Sequence, residues 1–322
     1  MAHVVVVTLN PALDLSIRLS RLEPGAVNRT LSTQLEAAGK GLNVARVLVA
    51  LGHQVTLSGF LGADNDGAFV DACRRTGIDD ASLRLPGETR INAKLAEADG
   101  RVTDINGPGL EVPPSALKEL TASLLARVAD ESPDALVVTG SLPPGVTPAA
   151  FGDLLRALGA AAVPLWVDTS GPALLEALNV PPTGAKPNEH ELAEWAGDQL
   201  DDADARLAAA RRLHAAGVEE ALLSLGGDGV IWVSRRGIFQ ARPPSVAVVS
   251  TVGAGDTLLA AMLHGVLGDH APTEALRFAT ALGAEAVRHL GVGDPHAEDF
   301  SALYQQTIVS ELDACARVGG NA

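Results

Sequence analysis

Val4-Val5-Val6-Val7-Thr8-Leu9 is a short, nearly unbroken β-branched and apolar run near the start of the chain. A strand with one wet face alternates apolar and polar residues, whereas a strand covered on both faces does not. Val4–Leu9 is therefore expected as a central strand of a mainly parallel sheet. Residues 42–51 follow with apolar side chains at helical spacing and stop at Gly52, and Val55 to Phe60 reads as a second strand. The three segments make a βαβ unit.

The alternation continues outward. Helices are expected over 115–130 and 148–158 and strands over 135–139 and 164–168, which predicts an α/β fold of three layers. Beyond Val218 the pattern predicts strands through Val233, a further strand over Val246–Val249, and two long helices over 255–267 and 273–290. Two stretches, 13–35 and 89–107, break the rhythm with alternation such as Ile91-Asn92-Ala93-Lys94-Leu95, and are expected as antiparallel hairpins. They are assigned to a small discontinuous β lid, and residues 1–12, 36–88 and 108–322 to the main domain.

Composition narrows the function classes. The formal net charge is -15, from 24 Lys+Arg against 39 Asp+Glu, and aromatics make up 3%. No broad basic surface or stacking platform for nucleic acid is available, so any phosphate must meet a local cluster of donors. Cys73 and Cys315 form no CxxC pair and read as ordinary reduced residues. No apolar run approaches the roughly 20 residues of a membrane span. The opening also lacks a basic region ahead of its apolar run, so a cytoplasmic location is expected.

Ser250-Thr251-Val252-Gly253-Ala254-Gly255-Asp256-Thr257 joins a glycine-rich turn to an apolar helix. Such a turn lets backbone N–H groups approach an anion, with the positive end of the helix behind them. A carboxylate there, Asp256, is placed to take a proton from an attacking hydroxyl; the plainer account is an acid favoured in any first helical turn. Ala38-Gly39-Lys40-Gly41-Leu42-Asn43 is a second glycine-rich helix start. It is not a Walker A loop, because Gly41 follows Lys40. Lysine is scarce in this chain, occurring only at 40, 94, 118 and 186, which argues for a use of Lys40 beyond capping.

Arg90, Asn92 and Lys94 share a strand face by the period of two, and read either as a clamp for phosphate or hydroxyls or as the charged face of an edge strand. Lys186-Pro187-Asn188-Glu189-His190-Glu191 opens a helix. Asn188 and Glu191 have the spacing both of oxygen donors for hydrated Mg2+ and of a capping box. Ser224-Leu225-Gly226-Gly227-Asp228-Gly229 reads alone as a tight Asp-Gly hairpin.

In this order these segments resemble the PfkB (ribokinase-like) family of carbohydrate kinases across nearly the whole chain. Gly59-Phe60-Leu61-Gly62-Ala63-Asp64 and Val252-Gly253-Ala254-Gly255-Asp256-Thr257 are similar to its two signatures. The resemblance implies a ribokinase-like sandwich with a lid, ATP and Mg2+ as cofactors, Asp256 as general base, and Gly253, Ala254 and Gly255 as the phosphoryl anion hole. It implies Lys186, Asn188, Ser224, Gly226, Gly229 and Thr251 at the nucleotide, with Asn188 and Glu191 serving the metal through water. Within the family, Thr8 to Asp14 and Thr89 to Asn92 most resemble members phosphorylating O6 of fructose 1-phosphate, with those acting on tagatose 6-phosphate close behind and those acting on fructose 6-phosphate as a further alternative. Asp14, Gly39, Lys40, Asn43 and Asn92 would then bind the sugar, and Arg90 with Lys94 its phosphate. Two departures stand out: Ala38 replaces a common glycine, and 280–286 lacks an asparagine that many relatives place near adenine. A small phosphorylated sugar and ATP are thus the expected partners, and exposed lid strands are compatible with a homodimer. The rival classes are a dinucleotide-dependent oxidoreductase, which lacks its GxGxxG after an early strand, and a non-catalytic sugar-phosphate sensor.

Overall fold

The computed structural model describes residues 1–312, so Cys315 lies outside the described residues. The first half of the chain runs β1 (His3–Thr8), β2 (Ala12–Leu19), β3 (Ser32–Ala38), α1 (Lys40–Ala50), β4 (Gln54–Gly62), α2 (Gly67–Thr76), β5 (Asp79–Asp80), β6 (Leu83–Leu85), β7 (Ile91–Glu97), β8 (Val102–Ile105), α3 (Pro114–Glu131), β9 (Ala135–Thr139) and α4 (Pro148–Gly159). The second half runs β10 (Leu165–Asp168), α5 (Pro172–Asn179), β11 (Gly184–Ala185), α6 (Glu189–Ala196), α7 (Ala203–Ala215), β12 (Glu220–Ser224), β13 (Val230–Ser234), β14 (Gly237–Arg242), α8 (Ala254–Leu267), α9 (Pro272–Ala286), α10 (Phe300–Gln306) and β15 (Ile308–Glu311).

The main sheet has the order β15-β14-β13-β12-β11-β10-β9-β1-β4-β5, with β6 also on β4. Its centre, from β12 to β5, is parallel, and β13, β14 and β15 add an antiparallel edge. Alternate residues of β1 enter different cores. Val4 and Val6 pack with Leu42, Val44 and Leu48 of α1 and Leu259 and Met262 of α8. Val5 and Val7 pack with Leu120 and Leu124 of α3 and Phe151 and Leu155 of α4. Full burial on both sides is why β1 carries no polar alternation.

The second sheet, ordered β3-β2-β7-β8, is built from the two stretches that interrupt the α/β pattern. β2–β3 and β7–β8 are antiparallel as expected, but the two hairpins join through a parallel pairing of β2 with β7.

Three expectations are corrected. Residues 246–249 form no strand, and Val248 and Val249 are each 63% exposed. The place beside β14 is taken by β15, so that segment has no ladder to join. The last long helix ends at Ala286 rather than 290, because the Val287 carbonyl turns away to accept from Val249 N (2.8 Å) and Ser250 N (3.1 Å). The expected hairpin forms, with Ser224 opposite Val230 across antiparallel β12 and β13, but its turn is not a tight Asp-Gly pair: it holds a 3-10 turn at Gly226–Asp228, closed by Leu225 N donating to Gly229 O at 2.8 Å.

Candidate active site

The chain leaves β1 for β4 on one side and returns to β9 on the other, so the direction of winding reverses at β1. In open α/β sheets the crevice at such a reversal, beyond the carboxyl ends of the strands, is where ligands bind. Asp168 ends β10 in register with Thr139 of β9, and Lys186 follows directly on β11. Asp168 and Lys186 are only 2% and 6% exposed.

Two helices begin over this row of side chains. At the start of α1, Gly39 has φ 109, and a Cβ on Gly41 would lie 2.6 Å from Thr8 Cβ, so the helix start presses against the end of β1. At the start of α8, Gly253 has φ 86, a left-handed turn that favours glycine. Their first-turn N–H groups have no intrahelical acceptors and point outward with the positive ends of the helix dipoles. Asn43 Nδ2 donates to Asp256 Oδ2 at 2.9 Å and ties the two starts together. Lys40 Nζ lies 3.2 Å from Asp168 Oδ2, and Lys186 Nζ lies 3.5 Å from Asp168 Oδ1. The Lys186 head covers Gly255, where a Cβ would sit 3.2 Å from Nζ.

Burial is the main reason that the Asp256 carboxyl is pushed up to about 6, and the charge of Asp168 adds to it. Lys40, the Asn43 hydrogen bond and Lys186 pull in the other direction. Burial also works against the Lys40 charge, but Asp168 and Asp256 outweigh it and hold that ammonium above its ordinary range. A carboxylate of this kind is still ionised near neutral pH and is a better base than a solvated one.

Other expected residues fall into neighbouring groups. On the second sheet, Asp14 and Asn92 are register partners joined at 3.3 Å, and Lys94 Nζ lies 2.6 Å from Asp14 Oδ2. Arg90 lies just before β7 rather than within it. Its guanidinium donates to the carbonyls of Asn10 (2.8 Å), Pro11 (3.2 Å) and Gly107 (3.2 Å) and to Ser141 Oγ (3.4 Å). Most of its donors are already engaged in bracing the crossing from β1 into β2.

Asn188 and Glu191 form the full capping box of α6, with Glu191 N to Asn188 Oδ1 and Asn188 N to Glu191 Oε2 both at 2.9 Å. Glu191 nonetheless adds to the field holding the charge of Lys40. Asn188 bridges to Ser224, whose N–H donates to Pro187 O at 3.0 Å, so the loop of Gly226 and Gly229 stands beside the start of α6. Thr251 is exposed at the turn before Gly253, and its carbonyl accepts from Ala254 N at 3.4 Å. Reading the sequence missed Asp168, the carboxylate that both lysines share. Its available signal was an acid ending an otherwise apolar strand.

A buried carboxylate beside two cations and two helix starts suits transfer of a phosphoryl group to a hydroxyl, on a parallel-sheet scaffold of the nucleotide-binding kind. The family described as pfkB family carbohydrate kinase matches residues 4–299, and the chain belongs to that family. It is 41% identical over 309 residues to the 1-phosphofructokinase of Vibrio cholerae, covering 96% of this chain and 97% of that one. It is 42% identical over 301 residues to the 1-phosphofructokinase of Escherichia coli, covering 94% and 96%. The crystal structure of phosphofructokinase-2 from Escherichia coli in complex with fructose-6-phosphate superposes with a TM-score of 0.85 at 26% identity, over 95% of this chain and 99% of that one.

Proposed function

We propose that the chain is an ATP-dependent kinase that phosphorylates O6 of fructose 1-phosphate to give fructose 1,6-bisphosphate. The observation that carries the chemistry is Asp256, buried at a helix start and fixed by Asn43. Asp256 takes the proton of the O6 hydroxyl as O6 bonds to the γ-phosphorus, and the bond from that phosphorus to the ADP oxygen breaks. Charge on the transferred group is met by the N–H groups of Ala254, Gly255 and Asp256, by the Gly253 turn, and by Lys40 and Lys186.

The acceptor rests on the two relatives above, which are more similar in sequence than the fructose-6-phosphate complex. Asp14, Gly39, Lys40 and Asn43 hold the sugar, and Asn92 orients Asp14. Lys94 meets the sugar phosphate together with Arg90, which must exchange a carbonyl partner to do so. Lys186, Asn188, Ser224, Gly226, Gly229 and Thr251 line the nucleotide side.

The residues present fit Mg-ATP. The Lys186 cation, the cover over Gly255 and the glycine turns offer donors to phosphates, and Asn188 with Glu191 offers hard oxygen donors, as Mg2+ requires. When bound, the metal supplies charge neutralisation at the phosphates. Closure of the second sheet over the sugar excludes water. A cytoplasmic location and a homodimer joined through the second sheet complete the reading. For the dimer, the support is an apolar outer face: Leu15 pairs with Leu35 and Ala93, and Ile17 with Leu95, while Leu35 and Ile105 are 47% and 57% exposed.

ADP release from Mg-ATP tests the proposal, with fructose 1-phosphate, tagatose 6-phosphate, fructose 6-phosphate or no sugar. Fast turnover is expected with fructose 1-phosphate, falling by about 10²–10⁴ in Asp256→Asn. Preference for another ketose phosphate reassigns the acceptor. No stimulation by any sugar makes the chain a sensor on a kinase fold.

A further inference from the structure

The anion-binding turn at the start of α8 does not stand alone. It seats on the segment 287–294 that follows α9. Val287 O accepts from both Val249 N and Ser250 N. A Cβ on Gly253 would lie 2.5 Å from Gly291 O, so the two backbones are in contact there. Gly293 N donates to Thr257 Oγ1 at 3.1 Å, a buried bond in the first turn of α8.

That segment has little regular structure of its own; the Arg288–Asp299 ion pair, at 2.7 Å, holds it at the surface, and one buried carboxylate holds it from within. Glu285, 4% exposed near the end of α9, accepts from Asp294 N at 2.7 Å. It also accepts from His289 Nε2 at 2.8 and 3.0 Å. Both ends of the loop are thereby pinned to one side chain, and the loop in turn meets the glycine turn at three places.

We infer that Glu285 is a positioning residue for phosphoryl transfer: it holds segment 287–294 as the seat on which the Gly253 turn, and with it Asp256, is set. The role rests on the kinase reading above, and its signature is a loss of order and of kcat with sugar binding retained, since the sugar side of the site lies on α1 and the second sheet. A displacement of about 1 Å at a reacting group is enough to cost about 10²-fold in rate.

The test compares full-length wild type with Glu285→Ala and Glu285→Gln. Glu220→Ala serves as a control, because Glu220 is an equally buried acid (6% exposed) that instead accepts from Trp232 Nε1 at 2.7 Å. Amide hydrogen exchange over residues 250–257, without substrate, is expected to quicken by about 10-fold or more in Glu285→Ala and to stay unchanged in Glu220→Ala. kcat should fall by about 10-fold or more in Glu285→Ala, while KM for fructose 1-phosphate stays within about twofold. Glu285→Gln keeps an acceptor for Asp294 N but loses the charge, and should fall between wild type and Glu285→Ala in both readouts. Unchanged exchange at 250–257 in Glu285→Ala, or an equal loss in Glu220→Ala, overturns the inference. If Glu285→Ala does not fold, Glu285→Gln decides alone, faster exchange supporting the role and unchanged exchange overturning it. If wild type turns over no sugar, the kinase reading fails separately, and the exchange comparison still decides whether Glu285 sets the turn.

Discussion

As the proposed base, Asp256 meets two opposed demands, because a base must be ionised while its buried surroundings favour the neutral acid. Its folded value of about 6 stands above the ordinary 3.8. The stability that goes with the neutral form is therefore complete below about pH 4 and is lost as pH rises through 6. Asp256→Asn keeps the shape and escapes that cost, so near about pH 7.5 it should be more stable than wild type by up to about 3 kcal/mol and unfold at a higher temperature, an advantage that shrinks below about pH 6 and is gone near about pH 3.5. Activity runs the other way: kcat/KM should rise with pH through about 6, which a pH–rate profile reads. Asp168→Asn should move that limb to lower pH and Lys40→Met to higher pH, because the first charge raises the Asp256 value and the second lowers it. The motifs around Asp256, Lys40 and Asn43 were readable in the sequence because each lies in a glycine-rich helix start. Asp168 was not, since its role comes from register across β9, β10 and β11, which no local spacing encodes.

At the scale of elements, strands buried on both faces were the most legible part of the chain. β1, β9 and β10 fall within a residue or so of the runs that announce them. Val246–Val249 misled for a physical reason: a β-branched run becomes a strand only where a ladder has room, and β15 already occupies that edge. Asn188 and Glu191 show a different limit, because one spacing serves a helix cap and a hydrated-metal shell alike, so the cap that forms leaves the second role a matter for the proposal. The start of α8 offers the sharpest element-scale prediction. Gly253→Ala adds a methyl in a left-handed conformation against Gly291 O. It should lower stability by about 1–3 kcal/mol and kcat by more than about 10-fold, measured by thermal unfolding and ADP release.

For the whole molecule, the proposed dimer through the outer face of the second sheet is open to a direct test. Light scattering should give a dimer at micromolar concentration, and Leu35→Glu with Ile105→Glu should give a folded monomer. A monomeric wild type would remove the dimer reading and leave the apolar face without a cover. Chain length carries a further constraint. Because β2 and β7 pair in parallel, with Asp14 opposite Asn92, two distant parts of the sequence share one ruler. Adding or deleting a residue between Thr8 and Asp14, or between Thr89 and Asn92, would slip that register and turn the row of Asp14 and Asn92 to the opposite side. The hairpin tips at 20–31 and 98–101 lie beyond the paired rows. Natural length variation among relatives should therefore gather at those tips and spare the two approaches, so that the second sheet admits indels freely where it is unpaired and only in matched pairs where its two hairpins share a register.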